Sequence, residues 1–299
     1  MSGLDERRDI RRAASALALM SLVWGYNWLA MKVSLTYASP ADSCAARFAL
    51  GALALLPAVR YYGHSLLVPR REWGFLAFLA ASLAVNFFLT LTALELGAVG
   101  KTAVLTYTMP FWVILIARVR LKERMRPAQS VAVALAFCGL LVLVDAVHLR
   151  DWKASVLAVI AGLIWAATVV AIKTAQGRTR THLMTFTVWQ MALCAVLLFA
   201  FSSVVGTPPI RWTWQFGAAI AFSAILGSAF AWMLFYYALA RLPASLAGLG
   251  TLATPALGVL AAWVHLGERP SGEDLVGMAC IALGLLLLAL PGASPQRKR

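Results

Sequence analysis

Trp24-Gly-Tyr-Asn-Trp-Leu-Ala-Met-Lys32 returns 141 residues later as Trp165-Ala-Ala-Thr-Val-Val-Ala-Ile-Lys173. Both copies lie in long apolar stretches that close on a lysine. At a spacing of 145, Ala93-Leu94 falls on Ala238-Leu239, Thr106 on Thr251, Pro110 on Pro255, Glu123-Arg124 on Glu268-Arg269 and Gly139 on Gly284. Matches in this order across most of each half mark a duplication, with residues 1–147 as the first copy and 148–299 as the second.

Working outward, 62% of the 299 residues are hydrophobic and only 13% are charged, where a soluble domain is roughly half apolar and a quarter charged. Lipid is the expected solvent. Apolar stretches run at 13–35, 42–61, 72–93, 98–118, 127–146, 153–175, 182–204, 213–239, 245–266 and 272–290, each near the roughly 20 residues that a helix needs to cross hydrocarbon. They lack the period-two alternation of barrel strands, and a helix satisfies its own backbone in lipid. The first stretch follows Arg7, Arg8, Arg11 and Arg12 as in a signal peptide. It is too long for a signal core, however, and nine similar stretches follow it, so it is read as a retained helix.

The net charge of +14 is a topological signal rather than a nucleic-acid footprint, because the basic residues cluster in short loops. Nineteen lysines and arginines fall on the face that holds both termini and six on the other, which places both termini in the cytoplasm of a bacterial inner-membrane protein. Five helices per copy is an odd number, so the second copy starts on the opposite face from the first. The expected fold is all-α and integral to the membrane: ten transmembrane helices as two inverted five-helix repeats, an architecture of secondary transporters.

Absences narrow the function. Cys44, Cys138, Cys194 and Cys280 all lie in apolar stretches without Cys-x-x-Cys spacing, and no histidines cluster, so no metal, disulfide or cofactor is called for. His64, His148 and His182 lie in loops and His265 at a helix end. A membrane-embedded enzyme would have no acid–base centre, and a scaffold is the other non-transport reading. All twelve acidic residues lie in loops or at span ends, which leaves no membrane carboxylate for a proton relay or for a lipophilic cation. Too few cations are near to dehydrate a phosphate. A neutral or zwitterionic solute with a large apolar part fits best.

The candidate solute-binding residues follow from helical spacing. Trp24, Asn27 and Trp28 share a face of the first helix with Met31, and Trp165 and Thr168 share the matching face of the sixth. A deep indole N–H needs a partner or a solvated cavity, so these tryptophans either line the cavity or pack tightly. Thr102, Thr106 and Pro110 in the fourth helix are repeated by Thr251, Thr254 and Pro255 in the ninth. They form either a polar lining or a bent helix whose threonines bond to their own backbone. Asn86, Thr90, Gln190 and Ser228 are the other deep polar groups. Arg47, the one clearly intramembrane charge, either snorkels outward or faces the cavity, where it would hold a carboxylate by a bidentate pair. The cavity is expected between helices 1, 3, 4, 6, 8 and 9, with helices 5 and 10 outside it.

The Trp24-to-Lys32 helix, Arg47-Phe48 opening the second, Thr106 to Pro110 in the fourth, and Leu121 to Arg124 with its copy at Leu266 to Arg269 resemble the ten-helix, EamA-type members of the drug/metabolite transporter superfamily. In size and aromatic content the chain is most similar to the aromatic amino acid exporters of the YddG type. The resemblance implies export of aromatic and other apolar amino acids, with the solute and the lipid bilayer as partners. The inverted repeat points to alternating access and the missing membrane carboxylates to uniport. The sequence leaves the oligomeric state open, a monomer being compatible with it. Another metabolite or drug is the alternative solute.

Overall fold

The computed structural model describes residues 3–121, 127–144, 152–175, 181–234 and 244–289. Its helices are α1 (Gly3–Ser34), α2 (Pro40–Tyr61), α3 (Trp73–Leu96), α4 (Val99–Thr106), α5 (Met109–Leu121), α6 (Pro127–Val144), α7 (Trp152–Ala175), α8 (Leu183–Val205), α9 (Trp214–Ala221), α10 (Ala244–Leu266) and α11 (Gly272–Ala289). Each expected span coincides with a helix, α4 and α5 being two halves of the fourth. Among the described residues, six stretches are long and apolar enough to cross a membrane, and Ser130–Val142 and Thr254–Leu266 are shorter apolar helices. Glu123, Arg124, Ala238 and Leu239, used in the repeat alignment, lie outside the described residues.

The ends of the helices follow from local chemistry. The Asp42 N–H donates to Ser39 Oγ at 3.1 Å and Pro40 opens α2, a first-turn position where the missing proline N–H costs nothing. Thr213 Oγ1 receives the Phe216 N–H at the start of α9, and Gly206 closes α8 in the left-handed region at φ 72°. Lys32 Nζ donates to the Leu94 and Gly97 carbonyls at 2.5 and 2.9 Å, capping the end of α3 with a cation.

Two of the spans are irregular. The fourth is broken at Tyr107 and Thr108, where Thr108 Oγ1 donates to the Leu105 carbonyl at 2.7 Å and receives Trp112 Nε1–H at 3.1 Å. Pro110 was expected to kink a continuous helix; it is instead the second residue of α5, a position that asks for no N–H donor. The eighth span winds into a π-helix over Phe222–Phe230 directly after α9. Ser228 Oγ donates to the Ser223 carbonyl five residues back at 3.0 Å, satisfying an acceptor within the wider turn.

The helix pairings of the two halves are reciprocal. α2 packs on α8, α4 on α10 and α6 on α11, which are equivalent helices of the two sequence copies. The larger contacts between the halves also come in matched sets: α1 on α10 with α5 and α4 on α7, α3 on α7 with α1 on the eighth span, and α3 on α8 with α2 on the π-helix. The exchange extends to single residues. A Cβ on Gly139 would stand 2.6 Å from the Gly277 carbonyl, and one on Gly284 would stand 2.8 Å from the Ala132 carbonyl. Gly284 and Gly277 are the equivalents of Gly139 and Ala132 at the spacing of 145. Each of the two helices thus brings a glycine against a backbone carbonyl of the other.

Candidate functional site

The largest apolar cluster joins Trp28 and Met31 of α1, Phe48 of α2, Ala103 of α4, Tyr107 at the helix break, and residues of α3, α8 and α10, with Phe87 and Trp165 packed on it. No described residue of α6 or α11 belongs to it; those helices pack on each other outside. The two irregular turns therefore meet the same central volume, in the manner of transporters whose broken helices supply free polar groups at mid-membrane.

Arg47 projects inward from α2 and is only 5% exposed. Nε donates to Ser228 Oγ at 3.1 Å and Nη1 to the Met31 sulfur at 3.0 Å. Its guanidinium carbon lies 4.8 Å from the Phe87 ring centre and 5.4 Å from that of Phe48, and those two rings meet edge-on at 4.8 Å. Among the described residues no carboxylate pairs with it. Of the two alternatives in the sequence, inward-facing is the one found. A neutral hydroxyl, a thioether and two rings soften the desolvation of the charge without neutralising it.

Asn27 is equally buried, and Oδ1 has no hydrogen-bond partner among the described residues. It lies against Gly227 of the π-helix, where a Cβ would stand 2.7 Å from Oδ1. The neighbouring Gly227 carbonyl receives Trp24 Nε1–H at 2.8 Å. Ser43, one turn before Arg47, and Ser223, in the π-helix, each bury a hydroxyl without a partner. Near one guanidinium there is thus a set of polar groups without hydrogen-bond partners among the described residues.

The aromatic residues divide into two groups. Trp24 packs edge-on to Trp232 at 5.5 Å, in a separate cluster with Leu17 and Met20. Trp28 lies 6.4 Å from Tyr107, and Tyr107 lies 5.8 Å edge-on from Trp165. Trp24 and Trp165, equivalent in sequence, do not share one neighbourhood; Trp28 is the tryptophan of α1 that reaches the sixth span through Tyr107.

Four of the remaining sequence candidates are held by the backbone. Thr106 Oγ1 donates to the Thr102 carbonyl at 2.9 Å and Thr168 Oγ1 to Ile164 at 2.8 Å, each within its own helix. Asn86 Nδ2 donates to the Ala161 carbonyl at 2.6 Å and Gln190 Nε2 to Leu79 at 3.1 Å, joining α3 to α7 and α8. Thr254 is fully buried beside the Tyr107 hydroxyl, and Pro255 is interior to α10. The Thr251 side chain lies outside the described residues. Tyr107, Phe87 and Gly227 were missed in the sequence. A phenol deep in a span needs a hydrogen-bond partner, and that signal was available for Tyr107; nothing in the sequence pointed to Gly227.

A model of the EamA-like transporter family matches residues 11–145 and again residues 152–290. The chain belongs to the EamA-like transporter family. It is a multi-pass membrane transporter built from two copies of the family's unit. Relatives include the uncharacterized transporter YoaV of Bacillus subtilis (strain 168), 24% identical over 90% of this chain and 93% of the relative. The riboflavin transporter of Rhizobium johnstonii is 27% identical over 96% of this chain and 91% of its own, and the protein RarD of Escherichia coli (strain K12) is 25% identical over 76% and 80%. A crystal structure at 20% identity superposes with a TM-score of 0.66 over 92% of this chain and 95% of that one, a likeness of fold.

Proposed function

We propose that this transporter exports aromatic and other apolar amino acids across the bacterial inner membrane by alternating access, as a uniporter. The observation that carries the reading is Arg47, a buried cation in the central cluster with no carboxylate among the described residues. An intramembrane charge of this kind marks a solute site, and its natural counter-ion is a carboxylate that arrives with the solute. Trp28, Tyr107, Trp165 and Phe87 offer faces and edges for an aromatic side chain, each such contact worth about 0.5–1.5 kcal/mol beyond burial. Residues 1–147 and 148–299 form two inverted repeats with both termini cytoplasmic, a reading supported by the odd helix number and the reciprocal pairings. The irregular turns at Tyr107–Thr108 and in the π-helix are where the halves would flex.

A second reading is favoured by the riboflavin transporter among the relatives: a flat, uncharged aromatic solute resting on the same rings. Flux of labelled solutes through liposomes containing the purified protein separates the two. Tryptophan and phenylalanine are expected to move and riboflavin not. Trp165→Ala should slow tryptophan and phenylalanine more than alanine, by up to about tenfold, while Trp24→Ala, which loses the Gly227 tie, should slow all solutes alike. Riboflavin flux without amino acid flux would replace the amino acid reading with the flavin one.

A further inference from the structure

We propose that Asn27 selects the solute's amino group while Arg47 takes its carboxylate, the two facing each other across the Gly227–Ser228 step of the π-helix. This rests on the amino acid reading above and identifies what in the site distinguishes an amino acid from other aromatic carboxylates.

Two independent routes make Asn27 and Arg47 neighbours. Through the π-helix, Asn27 Oδ1 lies against Gly227 and Arg47 Nε donates to the next residue, Ser228, at 3.1 Å. Through α1, Asn27 and Met31 are one turn apart on one face, and the Met31 sulfur receives Arg47 Nη1–H at 3.0 Å. An amide oxygen without a donor and a guanidinium without an anion thus flank the same two residues.

Accounting for the acceptors makes the assignment specific. The Gly227 carbonyl is occupied by Trp24 Nε1–H at 2.8 Å, and the Ser223 carbonyl by the Ser228 hydroxyl at 3.0 Å. The hydroxyls of Ser43 and Ser223 are unpartnered, but a hydroxyl can donate or accept and so does not discriminate. Asn27 Oδ1 can only accept, and it is buried with no donor among the described residues. An ammonium only donates, a carboxylate only accepts and a guanidinium only donates. The solute that fills both roles carries an ammonium and a carboxylate close together, as an amino acid does on its single α-carbon. A carboxylate without the amine would leave Oδ1 unfilled, and an amine without the carboxylate would leave Arg47 unpaired.

Gly227 allows the same geometry. A Cβ there would stand 2.7 Å from Asn27 Oδ1, so any larger residue opposite Asn27 would push its amide out of this position.

The test is binding of three probes to the purified full-length protein in detergent: L-tryptophan, indole-3-propionate, which keeps ring and carboxylate but lacks the amine, and tryptamine, which lacks the carboxylate. The wild type is expected to bind tryptophan at least about tenfold more tightly than either analogue, the worth of one hydrogen bond to a charged group. In Asn27→Leu the affinity ratio of tryptophan to indole-3-propionate should collapse toward one, while Asn27→Ser, which keeps an acceptor, should retain part of it. Thermal unfolding of each sample establishes that the variant is folded. Equal wild-type binding of tryptophan and indole-3-propionate, or an unchanged ratio in Asn27→Leu, would overturn the role of Asn27 and leave the amino acid reading standing. Binding of none of the three probes by the wild type would overturn both.

Discussion

At Arg47 the chain carries a full charge into the membrane interior and surrounds it with a hydroxyl, a sulfur and two phenyl rings. A residue chosen for stability would not look like this, because an unpaired buried ion is costly and an apolar side chain of similar volume is its better-packed replacement. Arg47→Met is therefore expected to leave the thermal unfolding midpoint in detergent unchanged or raised while reducing tryptophan flux at least about tenfold. Arg47→Lys keeps the charge but loses the two-pronged geometry, and should transport at an intermediate rate. A variant in which stability and flux fall together would make Arg47 a packing element. That the charge lies within a span was legible in the sequence; its direction was not, because a side chain with four rotatable bonds reaches either the interface or the centre from the same backbone position. The indoles of Trp24 and Trp165 illustrate the same limit. Spacing makes them equivalent, but the Gly227 carbonyl holds one and Tyr107 meets the other, an asymmetry that leaves no trace in spacing.

Among the helices, the apolar runs set the spans to within a few residues, since twenty-odd residues without charge admit one solution in lipid. The breaks escaped that logic. Pro110 is compatible with a kink inside one helix or with the first turn of another, and only the Thr108 hydroxyl bond to Leu105 and the turn at Tyr107 distinguish them. The π-helix is invisible to periodicity because one extra residue per turn over a single segment leaves the apolar run intact. The α6–α11 pair, by contrast, is fixed by two glycines where backbone meets backbone. Gly139→Leu or Gly284→Leu should destabilise the protein by about 1–3 kcal/mol through overpacking, read as a lower unfolding midpoint, with the ratio of tryptophan to alanine flux unchanged. At the start of α8, His182 Nδ1 receives the Met184 N–H at 3.2 Å, and its ring stacks on His64 at 3.6 Å. Burial, and then the neighbouring His64, push the His182 pKa below its ordinary 6.5, so the folded state favours the neutral ring. Below that pH the unfolded chain binds more protons than the folded one. The contribution of this cap is present above pH 6.5 and lost as acidification proceeds through the depressed folded value. Unfolding midpoints measured between about pH 5 and 8 should fall on the acid side, and His182→Ser, which can cap without titrating, should flatten that slope.

For the molecule as a whole, the question is what drives flux, and the buried carboxylates decide the expectation. Asp42 accepts from Ser39 at 2.7 Å, Ser202 at 2.5 Å and Thr207 at 2.8 Å, tying the start of α2 to the end of α8. Glu72 accepts from Thr181 Oγ1 at 2.6 Å and lies 3.9 Å from Arg71, near where the Thr185 and Trp189 side chains bond to the Ser65 and Leu66 carbonyls. The two carboxylates therefore join opposite ends of the α2–α8 pair, each before or in the first turn of its own helix. Both act as fasteners at the ends, and among the described residues neither is hydrogen-bonded to Arg47 or Asn27. A carrier driven by protons needs a titrating group that senses the solute, because coupling is a free energy shared between two sites. Here solute and proton would address separate places. Counterflow and net efflux of tryptophan from liposomes are accordingly expected to continue when pH is equal on both sides and sodium is absent, with net direction following the tryptophan gradient alone. Asp42→Asn and Glu72→Gln should alter the rate, by loosening one end of the pair, and leave this gradient independence intact. If flux instead requires a pH difference and stops when a protonophore collapses it, uniport is wrong. The carboxylate whose amide variant then restores gradient independence would be the relay, placing the proton site at an end of the α2–α8 pair.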